Sequence, residues 1–394
     1  MQVKGFSAAA VQAGIRHTGR YDLGLIFSKT PAVTAGVFTT NKVKAAPILL
    51  AMERLGSGLC QAVLVNSGNA NACTGRAGMD AAVATAGLTA KELGIDPHLV
   101  QVASTGVIGQ QLPMKPFTRA VPQLVADLSS DGFEQLAEAI MTTDLVPKIA
   151  TATVLIDGVM VSLLGVAKGS GMIMPDMATM LCFVVSDARI DQAALDQAVK
   201  AGVAQSFNRI TVDGDTSTND MVLVMANGAA DNTLISAGTP ENAALFSAAL
   251  DGIFRELALK IVADGEGATK LVTIRVAGAR NEQEALQAAR TIANSALVKT
   301  AFFGEDANWG RIIAALGRSD CTFDPRNVAM RFDDVMLVEN GIFLGEEQEA
   351  AATDVLKQHA FTVTIDLGEG DAEAEMYTCD FSYDYVKINA DYRS

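Results

Sequence analysis

The chain has 394 residues, of which 49% are hydrophobic, so it can bury a large core as two lobes or as one big domain. A formal net charge of -15 and a pI near 4.7 argue against a nucleic acid or an anionic membrane as partner, and leave small metabolites. Lys4, Gln12 and Arg16 interrupt the N-terminal apolar run, which makes it a poor secretory signal, and no apolar segment is long enough to span a bilayer, so we expect a cytoplasmic protein.

Predicted strands and helices alternate through the first half of the chain. In chain order they are a glycine-punctuated, β-rich stretch (15–37), a short buried strand (62–65) running into a turn (66–69), a helix (79–93), a strand-like run (100–109) interrupted at 104–106, and two further helices (116–128 and 133–141). The strongest hairpin signal is Asp157-Gly158, which joins two β-rich runs.

The second half continues the mixture without a regular βαβ repeat. Its predicted elements are strands over 181–185, 221–228 and 270–276, helices over 191–207, 240–262 and 281–297, and a β-rich end with strands over 328–343 and 361–366. Between them, residues 213–220 gather carboxylates and hydroxyls without the EF-hand spacing, which predicts a polar loop bordering a pocket and no metal site. The block from Phe302 lacks P-loop spacing, so nucleotide binding is not supported.

The numbers and positions of the cysteines and histidines limit the kinds of catalytic or metal site that we expect. The five cysteines are odd in number and lack CxxC spacing, which argues against disulfides and zinc and favours buried, reduced thiols. His17, His98 and His359 are far apart in sequence and carry no local triad signature. This scarcity favours a catalyst that carries its own base.

Thr179 is the candidate nucleophile, within the block KGSGMIMPDMATMLCF over residues 168–183. It follows the small residue Ala178 and a segment with glycines and Pro175 that can hold unusual backbone conformations. Most buried threonines simply bond their hydroxyl to the backbone. Alternatively, Thr179 attacks the carbonyl of Ala178, and an N-to-O acyl shift followed by hydrolysis leaves Thr179 as a new N-terminus. Its free amine, with a pKa of about 7.7 to 8.0, can take the proton from its own hydroxyl.

These residues resemble a known family. The block over 168–183 is similar to the self-cleavage site of the bifunctional arginine-biosynthesis acetyltransferases, the glutamate N-acetyltransferase/ornithine acetyltransferase family. The resemblance covers essentially the whole chain. The other matching blocks are VNSGNANACTG from Val65, ASTGVIG from Ala103, MTTD from Met141, TVDGDTSTND from Thr211, ADGEGATK from Ala263, FFGEDANWGRI from Phe302 and YVKINADYRS at the C-terminus.

The resemblance implies a fold, a cleavage and a reaction. The implied fold is α+β, a layered αββα sandwich shared with self-processing aminopeptidases. Cleavage between Ala178 and Thr179 would give an α chain of residues 1–178 and a β chain of residues 179–394, paired as an α2β2 heterotetramer. Thr179 would take the acetyl group from N2-acetylornithine and pass it to glutamate, with Thr105 and Gly106 as the oxyanion hole. Taken alone, Thr105-Gly106 is more typical of a plain turn.

The resemblance also implies substrate contacts, each with a plainer alternative from the sequence alone. Thr142 belongs to a cluster that otherwise reads as a helix cap, Lys168 to a strand end where lysine is usually solvated, and Glu266 to a glycine-flanked turn. The resemblance places Lys168 on an α-carboxylate and Glu266 on the distal ammonium of ornithine. Thr179 itself, Asn389 and Ser394 complete the substrate-binding set.

Two rival functions remain at this stage. A self-processing N-terminal-nucleophile amidase or aminopeptidase would use the same cleavage with water as the acceptor. A cleaved but non-catalytic protein that binds ornithine or acetylglutamate is the more distant rival. The sequence predicts no cofactor, and whether acetyl-CoA serves as a further acetyl donor stays open.

Overall fold

The computed structural model describes residues 1–16, 18–174 and 180–391. The predicted cleavage site, Ala178 and Thr179, and the predicted site residue Ser394 lie outside these ranges. The described chain divides into two compact units. The first contains Met1–Asn208 and Asp215–Ile261, and the second contains Arg209–Gly214 and the described residues from Val262 onward.

The described residues form a mixture of strands and helices. The strands are β1 (Phe6–Val11), β2 (Leu23–Phe38), β3 (Leu59–Asn69), β4 (Val100–Val107), β5 (Lys148–Ile156), β6 (Val159–Lys168), β7 (Leu181–Ser186), β8 (Ile210–Thr211), β9 (Met221–Ala226), β10 (Leu271–Ala279), β11 (Ala329–Phe332), β12 (Val335–Glu339), β13 (Ile342–Phe343), β14 (Ala360–Asp366) and β15 (Ala372–Cys379). The helices are α1 (Ala46–Arg54), α2 (Gly75–Leu93), α3 (Met114–Ala126), α4 (Phe133–Ala139), α5 (Gln192–Gln205), α6 (Pro240–Ala263), α7 (Glu282–Ala293), α8 (Ala296–Phe303), α9 (Trp309–Gly317), α10 (Glu346–Leu356) and α11 (Tyr383–Asp391). None of these described helices combines the length and the apolar character needed to cross a bilayer.

The first unit is built on a mixed sheet with the strand order β4-β3-β2-β9-β7-β6-β5, in which β1 also pairs with β2. The pairs β3/β4 and β7/β9 are parallel, and the other neighbours are antiparallel. The long β2 pairs with both β3 and β9, and its register on β3 shifts between Phe27 and Ala32. Strand β7, which begins two residues after Thr179, therefore lies inside the sheet between β6 and β9.

Both faces of this sheet are covered. On β3, Val63 and Val65 belong to one apolar cluster, whereas Leu64 points into another that includes Ala86 of α2 and Phe117 of α3. This alternation follows the two-residue period of a strand. All residues of β7 and β9 are buried, which explains their continuous apolar runs. A rigid core therefore supports the strand that leads away from Thr179.

The second unit has its own mixed sheet, with the order β13-β12-β11-β14-β10-β15-β8. Helix α7 covers it with Ala285, Ala288, Ala289 and Ile292, a spacing that places small apolar residues along one helix face. On β10, buried residues alternate with half-buried ones through most of the strand. Two mixed sheets packed with helices agree with the predicted α+β class.

Most predicted elements are found, and the differences have local causes. The hairpin at Asp157-Gly158 is confirmed: both residues have positive φ, and Ile156 pairs with Val159. Strand β1 is absent from the predicted elements because its alanine-rich sequence has low β-propensity; tertiary contacts hold it, by pairing with β2 and by a bridge between Ala8 and Ser129. The predicted helix over 281–297 is two helices, α7 and α8. The Asn294 side chain separates them, since it donates to the carbonyl of Arg290 and accepts from the Thr211 hydroxyl.

Two further expectations were wrong. The turn predicted at residues 66–69 is the end of β3, and the interruption predicted at 104–106 is paired strand: Asn66 pairs with Ser104, and Gly68 with Gly106. The Asn66 amide donates to the carbonyl of Asn69, which satisfies a polar side chain inside a strand.

Of the cysteines, four are buried as expected, but Cys73 is exposed.

Candidate active site

Thr105 and Gly106, the predicted oxyanion pair, lie near the end of β4 against β3. Gly106 has a φ of +129°, and a Cβ added there would lie 2.3 Å from the backbone carbon of Gly68. No other residue fits this position, because the close approach is to backbone, which cannot move aside as a side chain would. A backbone at such a φ can present N–H groups that β pairing would otherwise use. The need for glycine here is thus a property of the fold.

Lys168, the last residue of β6, is brought to Thr105 although the two are 63 residues apart. Its Nζ donates to Thr105 Oγ1 at 3.5 Å, and the residue is 4% exposed. In strand order β4 and β6 are five steps apart, so a flat sheet would separate them by more than 20 Å at about 4.8 Å per step. The sheet must therefore curl to make this contact. The plainer alternative, a solvated lysine, is therefore wrong, and the substrate-binding role of Lys168 stays a prediction.

Thr142 is tied to the same region through Asp144. The backbone N–H of Thr142 donates to Asp144 Oδ2 at 3.0 Å, and the N–H of Gly169 donates to Oδ1 at 2.7 Å. Lys148 Nζ also donates to Oδ1 at 2.7 Å. The cluster is no helix cap, since α4 ends at Ala139. One carboxylate instead fixes the backbone at a predicted substrate-binding residue and at the residue after Lys168.

Charges around Asp144 keep it ionised. Burial by itself would raise the pKa of this carboxyl, but the charges of Lys168 and Lys148 and the hydrogen bonds that it accepts lower the pKa to about 2. Asp144 is therefore negative at neutral pH. Both lysines therefore lie near this carboxylate, and Lys168 also contacts Thr105.

Strand β7 is held at its start by Asp220. Met180, the residue after Thr179, donates its backbone N–H to Asp220 Oδ1 at 3.0 Å. The Asp220 side chain is almost completely buried, and burial raises its pKa well above the usual range, although the Met180 N–H and the charge of Lys168 act to lower it. The sequence predicted only a polar loop here. The signal that could have been read is a carboxyl directly before the buried apolar run of β9.

Glu266 and Asn389 meet within the second unit. Asn389 Nδ2 donates to Glu266 Oε2 at 2.7 Å, and Glu266 is 6% exposed. The preceding part of the tail is anchored as well, because Ser382 Oγ donates to the carbonyl of Gly267 at 2.6 Å. The C-terminal residues therefore form helix α11 against the loop that carries Glu266, up to Asp391. Two predicted substrate-binding residues, Glu266 and Asn389, are thus in contact, while their roles toward a substrate stay predictions.

A cavity of about 510 Å³ lies in the first unit beside this region. Arg20, Glu138 and Asp144 are among the residues that line it, and Arg20 also donates to the carbonyl of Met141. Its lining includes none of the predicted site residues. Across the described residues there is no cluster of three or more His, Cys, Asp or Glu side chains that could hold a metal ion.

The model of the ArgJ family matches residues 7–394 of the chain, which is nearly its whole length. The chain belongs to the ArgJ family. Among its relatives, the arginine biosynthesis bifunctional protein ArgJ of Desulfotalea psychrophila is 58% identical over 394 residues, and that of Geobacter sulfurreducens is 55% identical; each alignment covers 100% of both chains. The crystal structure of the Bacillus halodurans argJ protein is 44% identical, with a TM-score of 0.51, and the match covers 53% of this chain and 98% of that one.

Membership of the ArgJ family confirms the predicted family and, with it, an acetyltransferase of arginine biosynthesis. The likeness to the Bacillus halodurans structure agrees with the predicted α+β fold. The roles assigned to single residues stay predictions. Of these residues, the structure brings together Thr105, Lys168 and the Thr142 loop in the first unit, and Glu266 and Asn389 in the second.

Proposed function

We propose that this member of the ArgJ family transfers the acetyl group of N2-acetylornithine to glutamate through an acetyl ester on Thr179 Oγ. The observation that carries the proposal is the contact of Lys168 Nζ with Thr105 Oγ1. It places a buried cation, suited to a substrate α-carboxylate, beside the predicted oxyanion donors. The same lysine ends the strand that leads along the chain to Thr179.

The acyl transfer needs only groups on this chain and its substrates. Thr179 Oγ attacks the acetyl carbonyl of N2-acetylornithine, its proton passes to the Thr179 amine, and that amine then protonates the departing α-amine of ornithine. The α-amine of glutamate next attacks the acetyl ester, and the proton it loses returns to Thr179 Oγ. Thr105 and Gly106 would stabilise the negative oxygen formed in each step. Both substrates carry an α-carboxylate, so one cation can serve both.

Cleavage at Ala178–Thr179, giving chains 1–178 and 179–394, is part of the proposal. Strands β6 and β7 flank this bond and pair with each other, Lys168 opposite Leu181, so the two products would stay joined through the sheet. The extent of the match to the Bacillus halodurans structure supports this division, because that chain corresponds to about half of this one. The β chain would make up slightly more than half of the precursor.

The assembly, the location and the donor range are further parts of the proposal. We expect an α2β2 heterotetramer in the cytoplasm, with a mass near twice the 41.2 kDa of one precursor. Acetyl-CoA would be a second donor that acylates the same Thr179, as the word bifunctional in the relatives' names suggests. No cofactor is expected to take part.

The decisive experiment follows the acetyl group. Purified protein is given N2-acetylornithine labelled in its acetyl group, with and without glutamate, and acetylglutamate and free acetate are measured. We expect label in acetylglutamate, and an acetylated peptide beginning Thr-Met-Leu-Cys in mass spectra taken without glutamate. Release of acetate alone would favour the amidase, and binding without any acetyl-threonine would favour the ligand-binding protein. Thr179→Ala should remain one intact chain on a denaturing gel.

A further inference from the structure

Asn219 and Asp220, neighbours at the start of β9, hold two separate parts of the site. Asn219 Nδ2 donates to the carbonyl of Ser104 at 2.8 Å and to that of Ala70 at 2.7 Å. Asp220 Oδ1 accepts from the N–H of Met180 at 3.0 Å. The exposed fractions of the two residues are 6% and 1%. Ser104 directly precedes Thr105, and Met180 directly follows Thr179.

We propose that Asn219 and Asp220 are the positioning residues of this active site, with Asn219 fixing the oxyanion strand and Asp220 fixing the peptide that follows the nucleophile. The inference rests on the proposed function, because it takes Thr179 as the nucleophile and Thr105-Gly106 as the oxyanion pair. Two consecutive residues directly before β9 would then connect the oxyanion strand to the peptide after the nucleophile. Neither was singled out as a site residue from the sequence.

The hydrogen bond from the Met180 N–H to Asp220 is not needed to hold β7 in the sheet. Met221 donates its backbone N–H to the carbonyl of Met180 at 3.1 Å, and β7 and β9 pair in parallel from Leu181 onward. The strand is thus already held without the side chain. The carboxyl adds control over the orientation of the peptide that joins residues 179 and 180, which strand pairing alone does not specify.

The other side of the Asp220 carboxyl faces hydroxyls. Oδ2 is fully buried, and the hydroxyls of Thr39 and Ser217 act with the Met180 N–H to lower the pKa of the carboxyl, although burial outweighs them and raises it. Thr39 also donates to the carbonyl of Ser217 at 2.8 Å. The side chain is therefore enclosed where it accepts from Met180, and an uncharged acceptor such as an amide would serve that N–H equally well.

Both the oxygen and the nitrogen of the Asn219 side-chain amide form hydrogen bonds. Its Oδ1 accepts from the Thr218 hydroxyl at 2.6 Å, while both hydrogen bonds from Nδ2 go to backbone carbonyls on the far side of β2. In strand order, β4 and β9 are separated by β3 and β2. The amide therefore bridges parts of the curled sheet that are not paired to each other. In Asn219→Asp, an oxygen of the carboxyl group would face the carbonyl oxygens of Ala70 and Ser104.

The test compares Asp220→Leu with Asp187→Leu, since leucine keeps the size of the side chain but removes the acceptor. Asp187 is a matched control: it is also 1% exposed, accepts a backbone N–H, from Ser162 at 2.7 Å, and follows the other end of β7. Cleavage of newly made protein is followed on denaturing gels, and kcat and KM for acetyl transfer are measured on the cleaved fraction, together with the melting temperature. For Asp220→Leu we expect cleavage or kcat to fall by about 100-fold with KM little changed, whereas Asp187→Leu should alter only the melting temperature.

A second variant keeps the outcome clear if Asp220→Leu fails to fold. Asn219→Asp should lower kcat by a similar factor, and Asp220→Asn, which keeps an acceptor for Met180, should restore part of the activity lost in Asp220→Leu. Wild-type cleavage and transfer rates in Asp220→Leu, or equal losses of activity in the Asp187 control, would overturn the inference. A wild-type protein that neither cleaves nor transfers acetyl groups would instead count against the proposed function.

Discussion

Lys148 Nζ lies 2.7 Å from Asp144 Oδ1, and neither side chain has any exposed surface. Such a pair is unusual, because moving two charges out of water costs more than most ion pairs regain. Here the carboxylate also accepts hydrogen bonds from the backbone of Thr142 and Gly169. The carboxylate of this ion pair therefore joins the two segments that carry predicted substrate contacts.

Asp144→Asn should destabilise the first unit strongly. The substitution leaves the buried cation of Lys148 without its counter-charge, which typically costs about 3 to 5 kcal/mol. The double variant Asp144→Asn/Lys148→Met should recover much of this loss, since it removes the unpaired charge as well. Urea denaturation at pH 7 measures both free energies of unfolding. A double variant that is no more stable than Asp144→Asn would mean that the loss comes from the backbone hydrogen bonds.

The same carboxyl predicts a pH dependence of stability. Its folded-state pKa of about 2 lies below the unfolded value of about 3.9, so its contribution is present above pH 4 and is lost as the pH falls through the folded value. The size of this contribution is about 2 to 3 kcal/mol at neutral pH. Between pH 5 and pH 2 the wild-type protein should therefore lose its advantage over Asp144→Asn. Unfolding curves of both proteins across this range measure it, and a constant difference would show that Asp144 does not titrate there.

The sequence carries local information well and long-range information poorly. The hairpin at Asp157-Gly158 could be predicted because its two residues adopt positive φ as a pair, which asparagine, aspartate and glycine favour. By contrast, nothing in the spacing of Thr105 and Lys168 indicates that they touch, because the contact depends on strand order and on the curl of the sheet. Family resemblance assigned both residues to the active site but did not predict this contact.

The sequence also did not show which polar residues are buried. The segment ending in Asn219 and Asp220 has the composition of a solvated loop, so it was assigned to the edge of a pocket. Asn219 and Asp220 instead form hydrogen bonds with the backbone of distant residues, among them Ser104 and Met180. Composition cannot distinguish a polar group bonded to water from one bonded to a distant strand.

Lys168→Met should weaken the binding of both substrates. Methionine keeps the length of the side chain but removes the cation, and both N2-acetylornithine and glutamate present an α-carboxylate. A charged hydrogen bond contributes about 1.5 to 3 kcal/mol, so we expect KM for each substrate to rise by about 10-fold to 100-fold. Steady-state kinetics with each substrate varied in turn measure the change. Lys260→Met, which removes a half-exposed lysine paired with Glu256, is the control and should leave both constants unaltered. A rise for only one substrate would contradict the shared-carboxylate role.

Glu266→Gln should weaken the binding of N2-acetylornithine but not that of glutamate. Gln can still accept the hydrogen bond from Asn389 at this position, so the tail contact survives, but the negative charge for the distal ammonium of ornithine is lost. KM for N2-acetylornithine should rise by about 10-fold or more, whereas the α-amine chemistry of glutamate is unaffected. Glu305→Gln removes a half-exposed carboxylate of the same unit, paired with Lys270, and serves as the control. Equal changes for both substrates would assign Glu266 to a shared feature such as the α-amine.

Gly106→Ala should abolish most of the activity. At a φ of +129° a side chain is strained, and its Cβ would lie 2.3 Å from the backbone of Gly68, so the end of β4 must move. Loss of one oxyanion donor typically lowers kcat by about 100-fold to 1000-fold. Gly87→Ala is the matched control, because this helical glycine of α2 has nothing within 4 Å of an added Cβ and should gain about 0.5 to 1 kcal/mol of stability. Melting temperature and kcat for both variants decide the matter: a Gly106→Ala enzyme with wild-type kcat would exclude this segment of β4 from the oxyanion hole.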